Sequence, residues 1–238
     1  MSDHLDHSDH LDDLDDLSGL ADPVRRALYR HVVAEGAPVG RDAAAGAVGI
    51  SRSLAAYHLD RLVNDGLLEA RYQRLTQRRG PGAGRPAKLY VRSARRFEVS
   101  VPERDYKVPA RLLATAIEAD EQAVNAVTRV ARTYGGDIGA DVVRRCGDST
   151  SSSNVVGCLV DVLAERGYEP YDEDGTIRLR NCPFEALAAD HRDLVCGMNL
   201  AVMQGATEAL DDEPVRPRLD PRSGECCVAL ESTGQPTS

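Results

Sequence analysis

The pattern of hydrophobic and polar positions is clearest in residues 51–66, where it predicts an amphipathic helix. Ser51 is a residue type that caps helix N-termini, and Gly66 is the type that ends helices. Hydrophobic residues recur at i, i+4 and i+7 and form one apolar face: Ala55, Leu59 and Leu62. The opposite face is short, polar and cationic: Arg52, Ser53, Ala56, Tyr57 and Arg61. One face of this helix should pack on a core, and the other should meet solvent or a ligand.

Two shorter helical patterns precede this helix. Asp22 can cap the first, and Pro23 stands at the first helical position, where its missing N–H costs nothing. Its apolar stripe comprises Val24, Ala27, Leu28, His31 and Val32. A short helix over residues 41–48 and a turn at Gly49 follow. Two helices, a glycine turn and a further helix are the order of a helix-turn-helix motif.

Two strands are predicted after Gly66, over residues 67–72 and 87–91. The loop between them, residues 73–86, is rich in Gly, Pro and Arg, so it is cationic and unsuited to packing. We interpret it as a β-wing that reaches the phosphates or minor groove of DNA, with a plain exposed hairpin loop as the alternative. The helix and wing predict a DNA-binding site: Ser51, Arg52, Ser53, Tyr57, Arg61, Arg78, Arg79, Arg85 and Lys88.

A long helix is predicted from residue 108 to about residue 134, followed by a break at Gly135 and Gly136. Its apolar positions suit either a partner helix in a homodimer or packing within its own domain. Later helices are predicted over residues 136–146, 155–167, 184–189 and 193–210. Strands are predicted in a hairpin over residues 168–180 and over residues 215–219 and 226–230.

These elements predict an α+β fold of two domains, as the length of 238 residues also suggests. The predicted parts are an acidic tail (1–17), a DNA-binding domain (18–100), a helical dimerisation segment (108–147) and an α+β sensor domain (148–232). Neither a signal peptide nor an apolar run of about 20 residues is present, so we expect a cytoplasmic protein without a membrane partner.

The net charge changes sign twice along the chain. Residues 1–17 carry −7, residues 18–100 carry +8 and residues 101–238 carry −10, for a total of −9. The dense like charge of the first block predicts a disordered tail. A cationic block between two acidic ones is expected of a DNA-binding domain joined to a domain of another kind.

Six cysteines lie in the C-terminal half, and without a secretion signal they are more often thiols or ligands than disulfides. Cys146 and Cys158 have apolar neighbours in predicted helices, so we expect them in the core. The others are candidate ligands for an iron–sulfur cluster or zinc: Cys182, Cys196, Cys226 and Cys227. Redox-active or merely buried thiols are the alternatives.

Three further expectations concern residues in or beside these motifs. Side chains alternate along a regular strand, so Cys226 and Cys227 cannot both bind one centre unless the strand is bulged, and we slightly favour Cys226. His58, on the flank of the helix over residues 51–66, is expected to pack rather than read bases. His191 is expected to be a helix-boundary residue rather than a ligand.

Residues 20–91 resemble the winged helix-turn-helix of the ArsR-like bacterial transcription regulators. Three segments carry the resemblance: Leu-Ala-Asp-Pro-Val-Arg-Arg-Ala-Leu-Tyr, Ile-Ser-Arg-Ser-Leu-Ala-Ala-Tyr-His-Leu-Asp-Arg-Leu and Gly-Pro-Gly-Ala-Gly-Arg-Pro-Ala-Lys-Leu-Tyr. The resemblance implies a homodimer that binds a partly palindromic operator in double-stranded DNA and usually represses transcription.

The cysteine-containing half resembles the SufR-like, iron–sulfur-binding branch of these regulators through Asn-Cys-Pro-Phe, Val-Cys and Gly-Glu-Cys-Cys-Val. This resemblance implies a cluster on Cys182, Cys196 and one of the last two cysteines, which would change the spacing of two recognition helices. A winged-helix regulator that senses a small organic effector, with structural cysteines, is the alternative. An enzyme is disfavoured, because no Ser-His-Asp arrangement, phosphate-binding glycine loop or metalloprotease motif is present.

Overall fold

The computed structural model describes residues 8–73, 86–97, 99, 106–147 and 151–233. The chain divides into two compact units, an N-terminal unit (Met1–Arg104) and a C-terminal unit (Asp105–Ser238). Each combines helices with a small antiparallel sheet, so the predicted α+β fold class is confirmed. Among the described helices, none combines the length and hydrophobicity needed to cross a bilayer.

Helices and a three-stranded sheet make up the described part of the N-terminal unit. The helices are α1 (Ser8–Ser18), α2 (Pro23–Glu35), α3 (Arg41–Val48) and α4 (Arg52–Asn64). The strands are β1 (Val39–Gly40), β2 (Leu68–Gln73) and β3 (Ala87–Arg92), in the sheet order β1-β3-β2. Strand β1 was not predicted, since a two-residue strand has too little local pattern to recognise.

Local sequence explains where these helices begin and end. The Asp22 carboxylate accepts hydrogen bonds from the backbone N–H groups of Val24 (2.8 Å) and Arg25 (3.0 Å), as predicted for the cap of α2. Gly49 has φ +73°, a left-handed conformation that turns the chain between α3 and α4. The apolar faces of these elements meet in one core, which includes Leu28, Val32, Ala55, Leu59, Leu62, Leu68 and Tyr90.

The predicted disordered tail is wrong from residue 8 onward, because residues 8–17 form most of α1. A specific cation offsets part of the acidic charge: Arg95 lies 2.8 Å from Asp13 and 2.6 Å from Asp16. These partners lie about 80 positions apart in sequence, so local charge density could not reveal them. Residues 1–7 lie outside the described part of the chain.

The C-terminal unit packs helices on a four-stranded antiparallel sheet. Its described helices are α5 (Lys107–Glu118), α6 (Glu121–Cys146), α7 (Ser152–Glu165), α8 (Glu185–Ala188) and α9 (Arg192–Glu208). Its strands are β4 (Pro170–Glu173), β5 (Thr176–Leu179), β6 (Val215–Leu219) and β7 (Val228–Ser232), in the order β4-β5-β7-β6. The predicted dimerisation segment and sensor domain are therefore parts of one compact unit.

The predicted break at Gly135 and Gly136 is wrong, since α6 continues through both residues to Cys146. The helical stretch is interrupted instead before Asp120, whose side chain caps α6 through the Gln122 N–H (2.8 Å). Gly135 is needed because α6 and α9 approach closely there. A Cβ atom at Gly135 would lie 2.0 Å from the Val202 carbonyl oxygen.

Candidate nucleic-acid interface and cysteine cavity

Helix α4 divides into the two faces that the sequence predicts. Ala55, Leu59 and Leu62 are fully buried against the N-terminal core. Tyr57 is 65% exposed, the Arg61 side chain is 58% exposed, and Ser51, Arg52 and Ser53 are exposed as well. His58 is buried, which confirms its predicted packing role. The polar face of α4 is therefore held outward by its own hydrophobic face.

Two arginines of this face have acidic neighbours within the unit. Arg52 Nε lies 2.8 Å from Asp42 Oδ1, and both side chains are exposed. Arg61 Nε lies 3.4 Å from Asp65 Oδ1, one helical turn further along. An exposed pair such as Arg52–Asp42 contributes at most about 1 kcal/mol, so a phosphate or a base edge can compete with it. Asp65 is only 13% exposed, so the Arg61 pair is less screened by solvent.

Lys88 lies in the predicted strand and has an acidic partner on α4. It lies within β3, and its Nζ is 2.6 Å from Asp60 Oδ1 on α4. The same carboxylate oxygen accepts a hydrogen bond from Tyr90 Oη (2.7 Å). The ion pair between Lys88 and Asp60 therefore connects the hairpin to α4. The three wing arginines, Arg78, Arg79 and Arg85, lie outside the described residues.

Leu54 belongs to the exposed face of α4, although sequence reasoning passed over it. It is 40% exposed and stands three residues before Tyr57 and seven before Arg61. That spacing places all three on one helix face, so the periodicity contained the signal. An apolar side chain on such a face can contact a thymine methyl group.

In the C-terminal unit, a cavity of about 510 Å³ lies between α8, α9 and the loop that precedes β7. Three of the predicted ligands line it: Cys182, Cys196 and Cys227. Cys182 follows β5, Cys196 lies in α9, and Cys227 immediately precedes β7. Arg192, Arg222, Glu185 and Glu225 also line the cavity.

Cys226 lies behind the cavity wall rather than in its lining. It is buried, and its thiol interacts with those of Cys182 and Cys227. The expected alternation of Cys226 and Cys227 does not apply, because β7 begins only at Val228. Three of the four predicted ligands therefore line one cavity, and Cys226 lies against two of them. The geometry favours Cys227 as the cavity-facing member of the pair.

The crowding of these thiols changes their acidity. The interaction with Cys226, followed by burial, raises the pKa of Cys182 far above the ordinary thiol value. For Cys226, the hydrogen bond with Cys182 lowers the pKa, but the interaction with Cys227 and burial outweigh it and raise the pKa to about 11. Both groups are therefore thiols at neutral pH, and a bound metal would displace their protons.

An ion-pair network fixes the loop that carries the last two cysteines. Arg178 is only 4% exposed and pairs with Glu173 (2.9 Å) and Asp220. Arg222 pairs with the same Glu173 at 2.8 Å. A backbone hydrogen bond completes the arrangement: the Asp220 N–H donates to the Cys227 carbonyl (2.8 Å). The network holds the cavity rim to the sheet.

The cavity contains donor types that clusters and soft metals take, but its described residues are not arranged as a metal site. Thiolates are the usual ligands of iron–sulfur clusters and zinc. Arg192 and Arg222 line the cavity together with Glu185 and Glu225, so the charged side chains of the lining balance. Within the described residues, no group of three or more His, Cys, Asp or Glu side chains is arranged to hold a metal ion. The described residues therefore supply suitable donor types without a preformed metal site.

Cys146 and Cys158 form a disulfide, which corrects the expectation of thiols or ligands rather than disulfides. Their expected place in the core is confirmed, since Cys158 is buried there and Cys146 packs against it. Their Cα atoms lie 6.0 Å apart, within the range that a disulfide spans. The bond joins the end of α6 to α7.

His191 is at the N-terminal boundary of α9, as predicted, and its Nδ1 lies 2.8 Å from Glu118 Oε2.

A second, apolar cavity of about 470 Å³ lies between α6, α9 and the segment after Cys182. Its lining includes Val127, Val130, Tyr134, Phe184, Met198 and Val202. Exposed apolar side chains also occur on α5, where Leu112 is 67% exposed.

No protein-family model matches the chain, and comparisons with curated proteins and with solved structures found no match.

Proposed function

We propose that the chain is a homodimeric, DNA-binding transcriptional regulator of the winged helix-turn-helix class. In this proposal it represses transcription, and its C-terminal cysteines hold an iron–sulfur cluster that switches DNA binding. Zinc is the alternative ligand of the same cysteines. The N-terminal unit binds the operator, and the C-terminal unit holds the sensed group.

The observation that carries the proposal is the outward face of α4. Ser53, Tyr57 and Arg61 lie on the side opposite the buried leucines, where they contribute nothing to the core. A helix of this width fits the major groove, and an arginine there can bind the N7 and O6 atoms of guanine. The glycine turn at Gly49 and the hairpin of β2 and β3 flank this helix, as a DNA-binding helix-turn-helix requires.

The cysteine cavity supports the sensing half of the proposal. A cluster bound there would supply a redox-active group whose loss changes the charge and the packing of the cavity. Cys182, Cys196 and Cys227 would bind it from the cavity wall, and the Arg178 network would keep the loop before β7 in place. A switch also requires that the cluster bind two arrangements of the protein with different affinity.

Apolar residues on α5 and α6 support the proposed homodimer. Leu112 and Leu113 of α5 are 67% and 64% exposed, and Val130 of α6 is 68% exposed. Contiguous exposed apolar surface on a protein commonly marks an interaction site. The other side of α6 packs against α9, so packing within its own domain accounts for one face of α6 and leaves another face exposed.

A regulator of a small organic effector is the second candidate. The apolar cavity that includes Phe184 and Met198 favours it, because a cavity of about 470 Å³ is within the size range of small-molecule sites. A colourless protein without zinc, whose DNA affinity responds to an apolar compound, would support this candidate over the cluster.

The DNA-binding proposal is tested by selecting sites from a randomised double-stranded library with the full-length protein. Affinity for the selected site is then measured by fluorescence anisotropy. Arg61→Ala should weaken specific binding by about 1–3 kcal/mol, or about 5- to 150-fold, and should relax sequence preference at one or two positions.

Arg216→Ala is the matched control, because it removes one exposed arginine from β6 in the C-terminal unit. It should leave both affinity and sequence preference unchanged. Equal losses for the two variants would indicate a general effect of charge rather than a role for α4. Failure to select any site would overturn the proposed function.

A further inference from the structure

Asp65 lies between two arginines at the C-terminal end of α4. It directly follows the helix, and its backbone N–H donates to the Arg61 carbonyl at 2.9 Å. Its Oδ1 atom lies 3.4 Å from Arg61 Nε, and its Oδ2 atom lies 3.9 Å from a terminal nitrogen of Arg25 on α2. One carboxylate therefore connects an arginine of the outward face of α4 with an arginine of the helix behind it.

The carboxylate of Asp65 is more confined than the side chain of Arg61. The Asp65 side chain is 13% exposed, whereas that of Arg61 is 58% exposed. Gly19, which is buried in the short turn between α1 and α2, borders the same carboxylate: a Cβ atom there would lie 2.5 Å from Asp65 Oδ2. A confined partner can fix a flexible side chain at a lower entropic cost than another flexible side chain can.

The contact with Asp65 is made at the inner part of the guanidinium group. The closest atom of Arg61 is Nε, which is the nitrogen beside the side-chain stem. The two terminal nitrogens lie in the same rigid plane and can bind the N7 and O6 atoms of guanine. Because the group is planar, a fixed Nε also restricts the direction in which the terminal nitrogens point.

We propose that Asp65 is a positioning residue for Arg61: it aims the guanidinium group at the base edges of the operator and so contributes to sequence preference without contacting DNA itself. This inference rests on the proposed DNA-binding function. An arginine that is already oriented loses less conformational entropy when it binds a base. The same negative charge lowers affinity for DNA of any sequence, because it opposes binding of the phosphates.

The test uses the full-length protein and two double-stranded DNAs. One is the selected site, and the other is the same site with a replacement of the base pair at which Arg61→Ala relaxes preference. The ratio of the two affinities is measured by fluorescence anisotropy. Asp65→Asn keeps the size of the side chain and removes its charge. It should lower this ratio by about 3- to 10-fold, out of the roughly 5- to 150-fold that a complete arginine–guanine contact supplies.

Affinity for an unrelated DNA sequence provides a second readout. Asp65→Asn should leave this affinity unchanged or raise it, because the variant carries one negative charge fewer. In an Arg61→Ala background, Asp65→Asn should cause no further change in the affinity ratio, because the two residues act through one contact.

Asp42→Asn is the matched control, because Asp42 is the partner of Arg52, another arginine of α4. The Asp42 side chain is 66% exposed, so it is not confined as Asp65 is, and this variant should leave the affinity ratio unchanged. Gly19→Ala is the second variant if Asp65→Asn fails to fold. Its methyl group should displace the Asp65 carboxylate without changing any charge, and the affinity ratio should fall as well.

The possible results separate this inference from the proposed function. If no DNA site can be selected, the proposed function fails and this inference fails with it. If Arg61→Ala relaxes the sequence preference but Asp65→Asn and Gly19→Ala do not, only this inference is overturned. An equal gain in affinity for both DNAs would also overturn it, because Asp65 would then only compete with DNA for Arg61. An equal loss for both DNAs would instead indicate a purely structural role, which contradicts the proposal.

Discussion

Among single residues, Asp60 connects the face of α4 to the hairpin behind it. Its side chain is partly exposed on α4, and its Oδ1 atom accepts hydrogen bonds from Lys88 (2.6 Å) and Tyr90 (2.7 Å) of β3. Burial alone would raise the pKa of Asp60. The hydrogen bonds from Lys88 and Tyr90 lower the pKa by more than burial raises it, so the pKa of Asp60 lies below its usual value. The charged carboxylate is therefore favoured in the folded state.

We predict that Asp60→Asn lowers the free energy of unfolding by up to about 1 kcal/mol at pH 7, as expected for a solvent-screened pair. A depressed folded pKa gives stability that is present above the unfolded pKa of about 3.9 and is lost as pH falls through the folded value. The difference in the free energy of unfolding between the original protein and Asp60→Asn should therefore shrink in strong acid. Urea denaturation at pH 7 and at about pH 3 measures it, and a constant difference would contradict the assigned role.

At the scale of elements, two adjacent glycines in α6 have opposite structural roles. Gly135 faces α9, and a Cβ atom there would lie 2.0 Å from the backbone oxygen of Val202. Gly205 of α9 is equally constrained, with the Arg132 oxygen 2.0 Å from its Cβ position. Gly136 has nothing within 4 Å. The close approach of α6 and α9 therefore depends on specific glycines.

We expect Gly135→Ala to lower the melting temperature of the C-terminal unit, because a backbone atom cannot move aside as a flexible side chain can. Gly136→Ala is the matched substitution one residue away. It should raise stability by about 0.5–1 kcal/mol, since alanine is the better helix former. Thermal unfolding followed by circular dichroism compares the two, and similar effects would contradict the packing described for α6 and α9.

At the scale of the whole molecule, the proposed function requires the C-terminal cysteines to affect DNA binding by the N-terminal unit. The two sites lie in separate compact units, so their coupling is a free energy that must be measured directly. The cysteine site has the donor types for a cluster, and the disulfide between Cys146 and Cys158 leaves the four candidate ligands as free thiols.

We predict that anaerobically purified protein is brown, with a broad absorbance near 400 nm. Removing the cluster should change its affinity for the selected DNA by about 5- to 150-fold, the usual range of allosteric coupling. Cys182→Ser is the control, because it should not load and its affinity should not respond to the treatment. An affinity that is the same with and without the cluster would contradict a switch at this site.

Local sequence was enough to predict the features that depend on neighbouring residues. The division of α4 into faces follows from Ala55, Leu59 and Leu62, and the cap of α2 follows from Asp22. Strand β6 also begins and ends where its pattern predicts. These features can be predicted because the residue types and spacing that specify each of them lie within a short stretch of chain.

Other features were decided only by tertiary structure. Gly135 does not break α6, because the helix uses its missing side chain to contact α9. Asp13 and Asp16 join a helix because Arg95 reaches them from far along the chain. The meeting of Asn199 with Cys226 likewise joins residues 27 positions apart. Sequence patterns report local preference, whereas these contacts depend on which surfaces the folded chain brings together.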